Sequence, residues 1–147
     1  MNNQLKMLKS YCNLNLLTSA QKMALQILEV DKNCWQARNI LSLINHRIQV
    51  AHNQIMQFEG LALVATSLQF VYCQMAQQYL YLEDYHQANQ YYLKALYRQG
   101  EPQTSLLYRA PEAIKAQINK IQQIGFGNNS PQLITQLHDD AQKLTTF

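Results

Sequence analysis

The stretch from Gln69 to Pro102 reads QFVYCQMAQQYLYLEDYHQANQYYLKALYRQGEP. Its apolar residues recur at helical spacing. Tyr72, Met75, Ala76 and Tyr79 fall on one face of a first helix. Asp84 breaks the pattern, Asp84-Tyr85 makes the turn, and a helix from Tyr85 to Arg98 resumes it with Ala88, Tyr92 and Ala95. Gly100 and Pro102 predict its end, because glycine supplies a left-handed cap and proline cannot continue the ladder. A short turn between two helices makes them antiparallel neighbours. Small residues at Ala76 and Ala88 let the two axes approach, and the tyrosines fill the space around them.

Working outward, residues 2–13 predict a helix with Leu5, Leu8 and Cys12 on one face. After a break at Asn13 to Ser19, a second helix runs to about Val30, with Thr18 or Ser19 as its expected cap. Asp31-Lys32-Asn33 is a turn signal. A third helix begins near Trp35 with Ile40, Leu41 and Ile44, and a fourth covers roughly 49–60. Past residue 103, Pro111 starts a helix with an Ile114, Ile118 and Ile121 stripe and Gly125 as its stop. Ser130-Pro131 reads as the cap and first residue of a last helix, whose face is Ile134, Leu137, Ala141 and Leu144. The expectation is an all-α chain of about eight helices stacked as hairpins.

The 69–102 stretch resembles the tetratricopeptide repeat, a helical hairpin of about 34 residues. Tyr72, Met75-Ala76, Tyr79, Ala88, Tyr92 and Ala95 stand at the pattern's positions; Ala76 replaces its glycine, Glu83 stands where glycine is common, and Gly100 where proline is common. Projected back, the same phase gives a looser unit over 1–34, carried by Tyr11, Ala20, Ala24, Ile27 and Leu28, with bulky Leu8 at a small position. A middle unit over 35–68 starts with Trp35, Ala37 and Leu41. Two registers fit its second helix, with either Gln54 or Ala51 at the small position. The resemblance implies a right-handed solenoid of about three TPR-like antiparallel hairpins in one domain, closed by a C-terminal capping helix pair over 103–147. An ordinary helical-bundle core is the other reading of the same Tyr/Ala spacing.

In that family the outward face of each first helix lines a concave groove for a protein segment. The positions this implies are Leu5, Lys9 and Asn13, then Gln36, Asn39, Leu43 and Arg47, then Phe70, Cys73, Gln77, Leu80 and Tyr81. Such a groove grades from polar to apolar and tyrosine-rich. A helix that is apolar all round is normally covered on both sides. Either the chain's own last helix or a partner segment covers Phe70, Leu80 and Tyr81. Members that grip acidic chaperone tails carry Lys, Asn and Arg where this chain has Leu5, Lys9, Ile40, Phe70 and Gln74, so that clamp is not expected.

Composition sets the remaining bounds. At 147 residues and 48% hydrophobic, the chain suits one folded domain. Its 21 glutamines and 12 asparagines are polar surface compatible with helix, and a net charge of +3 compels neither nucleic-acid nor membrane binding. The seven tyrosines from Tyr72 to Tyr97 have only Lys94 and Arg98 beside them, too few cations for a base-stacking groove. His138-Asp139-Asp140 is expected on a solvated helix face, since adjacent helical residues do not converge. Cys34 has no activating neighbour, His46, His52 and His86 are scattered, and there is no Gly-rich phosphate loop. No cofactor, metal or catalysis is expected. Cys12, Cys34 and Cys73 form no CxxC pair, and the start MNNQLKMLKSYCNLNLL does not read as a secretory signal, so a cytoplasmic location is expected. The expected role is a protein-binding adaptor or scaffold, or a subunit of a larger complex or homo-oligomer. A dedicated chaperone for secreted proteins is the nearest alternative; a small helical enzyme or nucleic-acid binder is the alternative of another class.

Overall fold

The computed structural model describes residues 2–65, 68–97 and 107–146. Among these are seven helices: α1 (Asn2–Asn13), α2 (Leu17–Val30), α3 (Trp35–Ala62), α4 (Leu68–Tyr81), α5 (Tyr85–Tyr97), α6 (Pro111–Gly125) and α7 (Pro131–Leu144). The chain is all-α, as its periodicity predicts. The expected stop at Gly100 and Pro102 lies outside the described residues. Each helix packs on the next down the chain from α1 to α5; α5 packs on α6, α6 on α7, and α7 returns to α4.

Two hairpins share one turn. In α1–α2 the N–H groups of Leu14, Asn15 and Leu16 donate to the carbonyls of Ser10, Cys12 and Tyr11. In α4–α5 those of Leu82, Glu83 and Asp84 donate to Gln78, Leu80 and Tyr79. Asn15 and Glu83 both take φ of 58°, the left-handed conformation that ends a helix. From 15 to 83 is 68 residues, twice the roughly 34-residue unit that the resemblance implies. The same shift relates Leu8 to Ala76, Ala20 to Ala88, Ala24 to Tyr92 and Ile27 to Ala95, and all eight are buried.

The middle differs from the expectation. The helix beginning at Trp35 and the one over 49–60 are a single 28-residue helix, α3. It is about 42 Å long. Ala37 and Ile44 on its first half pack with Ala24 and Ile27 of α2, while Ile55 on its second half packs with Val71 and Met75 of α4. The reason is local and tertiary at once. Arg47-Ile48-Gln49-Val50-Ala51, where a turn would fall, holds no glycine, proline or Asx residue to stop a helix. Arg38, Ser42, Asn45, Gln49 and Asn53 are exposed, and a polar face cannot be the seam of a hairpin. Of the two registers, Ala51 is the buried position and Gln54 is half-buried.

The start of α2 meets the α4–α5 turn. Thr18 and Ser19 do not cap their own helix, as expected of them; Leu16 is the cap residue and makes no side-chain cap bond. Thr18 Oγ1 instead donates to the Leu82 carbonyl at 2.8 Å. Ser19 N–H and Oγ donate to the two carboxylate oxygens of Glu83 at 2.6 and 2.7 Å. A carboxylate from across the fold thus fills the capping role and complements the positive helix end. This explains a glutamate where a glycine would relieve the backbone. Glu83→Ala is expected to cost about 1–2 kcal/mol in urea denaturation. A double-mutant cycle with Ser19→Ala is expected to recover about 1 kcal/mol of coupling; strict additivity would refute the trans cap.

The C-terminal pair forms as its sequence predicts. Pro111 and Pro131 open α6 and α7, and Ser130 Oγ accepts from Leu133 N–H at 3.2 Å. Ile114, Ile118, Ile121, Leu137, Ala141 and Leu144 join Cys73, Leu80 and Tyr92 in the main core. Gln117, wholly buried, is satisfied there: its Nε2 donates to Tyr92 Oη at 3.2 Å and to the Leu137 carbonyl at 2.9 Å. No described helix is long and apolar enough to cross a membrane.

Candidate protein-binding groove

The positions proposed for a groove divide into two sets. Phe70, Cys73, Gln77, Leu80 and Tyr81, on α4, lie under the chain's own C-terminal region. Cys73 and Leu80 have no exposure and pack with Leu137, Ala141 and Leu144 of α7. Burial pushes the Cys73 thiol up to about 12, with Arg109 pulling the other way, so the thiol stays neutral. Gln77 Nε2 donates to Gln142 Oε1 at 2.9 Å and to Tyr81 Oη at 3.1 Å. The Tyr81 ring stacks on His138, centroids 5.7 Å apart. The Arg109 guanidinium sits 4.8 Å over the Phe70 ring. Arg109 also ties down the end of α7, donating from Nε to the Leu144 carbonyl at 2.6 Å and from a terminal nitrogen to Thr146 at 3.1 Å. A guanidinium suits these last carbonyls because they carry the negative end of the helix dipole.

Of the two coverings left open for this face, the chain's own last helix is the one present: α7 lies on it. The physical reason is the α7 stripe, which needs burial as much as α4 does and is tethered close to it. His138 departs from its expectation. It is 7% exposed rather than solvated, and neither ring nitrogen has a hydrogen-bond partner among the described residues. Burial drives its pKa down to about 4; Asp139 opposes this and Arg47 adds to it. Asp140, half-buried, pairs with Lys120 at 2.5 Å. Asp139 alone of the three is exposed. The described residues contain no group of three or more His, Cys, Asp or Glu placed to hold a metal.

The other set stays open. Lys9 and Asn13 of α1 face Leu43 and Arg47 of α3 across a cavity of about 330 Å³, floored by Ile40 and Ile44. A second cavity of about 480 Å³ continues it along α3 past Val50 and Gln54 to Gln78 and Tyr81 of α4. His46 and Arg47 line both, so the two are one groove with a basic waist. Gln36 lies one turn before Ile40 on the same face of α3, half-buried, and exposed Asn39 lies to its side. Tyr81 is the one residue of the α4 set that reaches this groove.

Arg47 is the hub of the waist. Its guanidinium donates to Asn15 Oδ1 at 2.8 Å, a neutral acceptor in the α1–α2 turn. Burial raises the Cys12 thiol and the Tyr81 phenol, and the Arg47 charge pulls both back. Val50 and Gln54 were missed by a reading that ends one helix and starts another between 44 and 49. The signal was present: 36, 40, 43, 47, 50 and 54 keep the alternating four–three spacing of one helix face without a break. No family model, no curated protein and no solved structure matches the chain.

Proposed function

We propose that the chain is a non-catalytic protein-interaction module, an adaptor or a subunit of a larger assembly, that takes a segment of a partner protein along α3. The observation that carries this is the groove itself. Leu43 is 66% exposed and Val50 41% exposed on the α3 face that lines two adjoining cavities. Large apolar side chains left open in a hollow are what a partner segment covers. We read the scaffold as a tetratricopeptide-type stack whose middle hairpin has straightened into α3; the shared turns at Asn15 and Glu83 support this. The three unpaired cysteines are in keeping with a reducing, cytoplasmic setting.

A display library of random peptides selected on the immobilised protein tests the groove. Leu43→Glu is expected to weaken the selected peptides by tenfold or more, roughly the loss of one well-packed apolar anchor. Its far-ultraviolet circular dichroism and melting curve are expected to match wild type, because the side chain is already exposed. Undiminished binding by Leu43→Glu would remove the groove as the site.

A further inference from the structure

The groove's charge is one-sided. Lys9 and Arg47 line it, and no Asp or Glu does. Among the described residues, the salt bridges are Lys120–Asp140 and Lys143–Asp140, and neither takes Lys9 or Arg47. Glu83, the carboxylate nearest the start of α2, is already held by Ser19. An exposed cation between two hollows, bonded among the described residues to a neutral amide acceptor, is matched by an incoming carboxylate.

Spacing adds to charge. Leu43 and Val50 stand seven residues apart on α3, a rise of about 10 Å. Arg47 lies between them. A second helix laid along this face has the same rise between its residues i and i+7. Two apolar side chains seven apart then reach the two cavities, and the residue at i+3 or i+4 falls opposite Arg47.

On the reading of the groove as a protein-binding site, we infer that its occupant is an acidic amphipathic helix that seats a carboxylate on Arg47 between two apolar anchors. This differs from the clamp for acidic tails that the sequence argues against. That clamp needs several cations and amides on successive first helices. Here a single guanidinium at the junction of two hollows reads one side chain. With the tyrosine-rich end covered by α7, the part of the groove left open is the part that carries both cations.

The test uses the full chain and two labelled alanine-rich peptides of about sixteen residues. Both carry leucines seven residues apart; one has Glu at the fourth position after the first leucine and its twin has Gln there. Fluorescence anisotropy is expected to show the Glu peptide binding about tenfold more tightly, in line with a charge-assisted hydrogen bond. Raising salt from about 0.05 to about 0.5 M is expected to erase that preference. Arg47→Gln is expected to bind the twins alike, and Arg47→Lys to keep part of the preference. Arg47 is exposed, so both variants are expected to keep wild-type helicity.

Equal affinity of wild type for the twins overturns the inference, as does failure of both to bind at millimolar concentration. If the twins bind equally and Leu43→Glu abolishes both, the groove stands and only its acid preference falls. If Leu43→Glu leaves both unchanged, the groove reading itself falls.

Discussion

Leu80→Glu is expected to unfold the C-terminal part of the protein. Leu80 has no exposure and sits in the core that joins α4 to α5, α6 and α7. A carboxylate there has no cation beside it within the cluster. Burying it uncompensated costs several kcal/mol, a large part of the total stability of a domain this size. The sequence alone suggests the opposite outcome, since Leu80 then reads as a groove residue whose substitution spares the fold. Leu80→Ala is expected to lose about 2–5 kcal/mol, the usual range for a wholly buried aliphatic. Phe126→Ala is the control: that ring is 89% exposed and its loss is expected to move the urea midpoint little. A Leu80→Glu protein with wild-type stability would show that α7 does not lie on α4.

Stability is expected to fall as pH drops from about 6.5 to about 4, and His138 is expected to carry much of the change. Its ring is sandwiched at the α4–α7 contact against Tyr81, with both nitrogens unpartnered. The charged and titratable groups that bear on it are Tyr81 from α4, Arg47 from α3 and Asp139 on α7 itself. Folding lowers its pKa from 6.5 to about 4, chiefly because burial strips water from the charged form. Between those values the unfolded chain binds the proton and the folded chain does not. Stability therefore rises with pH across that window and is lost on acidification. The full loss is about 3 kcal/mol once pH is below the folded value. Replacing His138 with Phe keeps the stacked ring and removes the titration. Urea midpoints of His138→Phe are expected to vary less between pH 7 and 4 than those of wild type. Parallel pH profiles would acquit His138.

The two predictions expose where the sequence is legible. Pro111, Ser130 and Pro131 mark the starts of α6 and α7 at the residue, while Gly125, expected as the stop of α6, is its last helical residue. These residues act on their own backbone, through a missing N–H, a hydroxyl cap or a weak helix preference, so the signal needs no neighbour. The turn at Leu82 to Asp84 is readable for a like reason: the apolar period of α4 halts there and restarts in a new phase. The α3 helix carries its own signal, one face unbroken from 36 to 54, but the repeat pattern sets a turn inside it. A repeat of about 34 residues projects a turn near 49, but the exposed polar face of Arg38, Ser42, Gln49 and Asn53 offers a folded-back half nothing to bury, and the chain stays straight.

The candidate site divides along the same line. Lys9, Asn13, Leu43 and Arg47 come together because α1 and α3 are near neighbours across a single intervening helix, and local period alone orients them. Cys73, Gln77 and Leu80 lie on the side of α4 turned away from Ile55 of α3. What lay on that side was decided some sixty residues further on, by Gln142, His138 and Leu144.

By itself, then, the sequence determined the all-α class, most of the helix starts and the apolar faces the helices present. Those follow from backbone chemistry and from a 3.6-residue period, which act over one or two turns. Only the tertiary structure decided that α4, the first helix of the stretch that opens at Gln69, has its outer face closed by α7. It also decided that Glu83 caps a helix 64 residues away and that the groove moves to α3. An apolar face states that it must be covered; which element covers it depends on the competition among all the faces the chain has to bury.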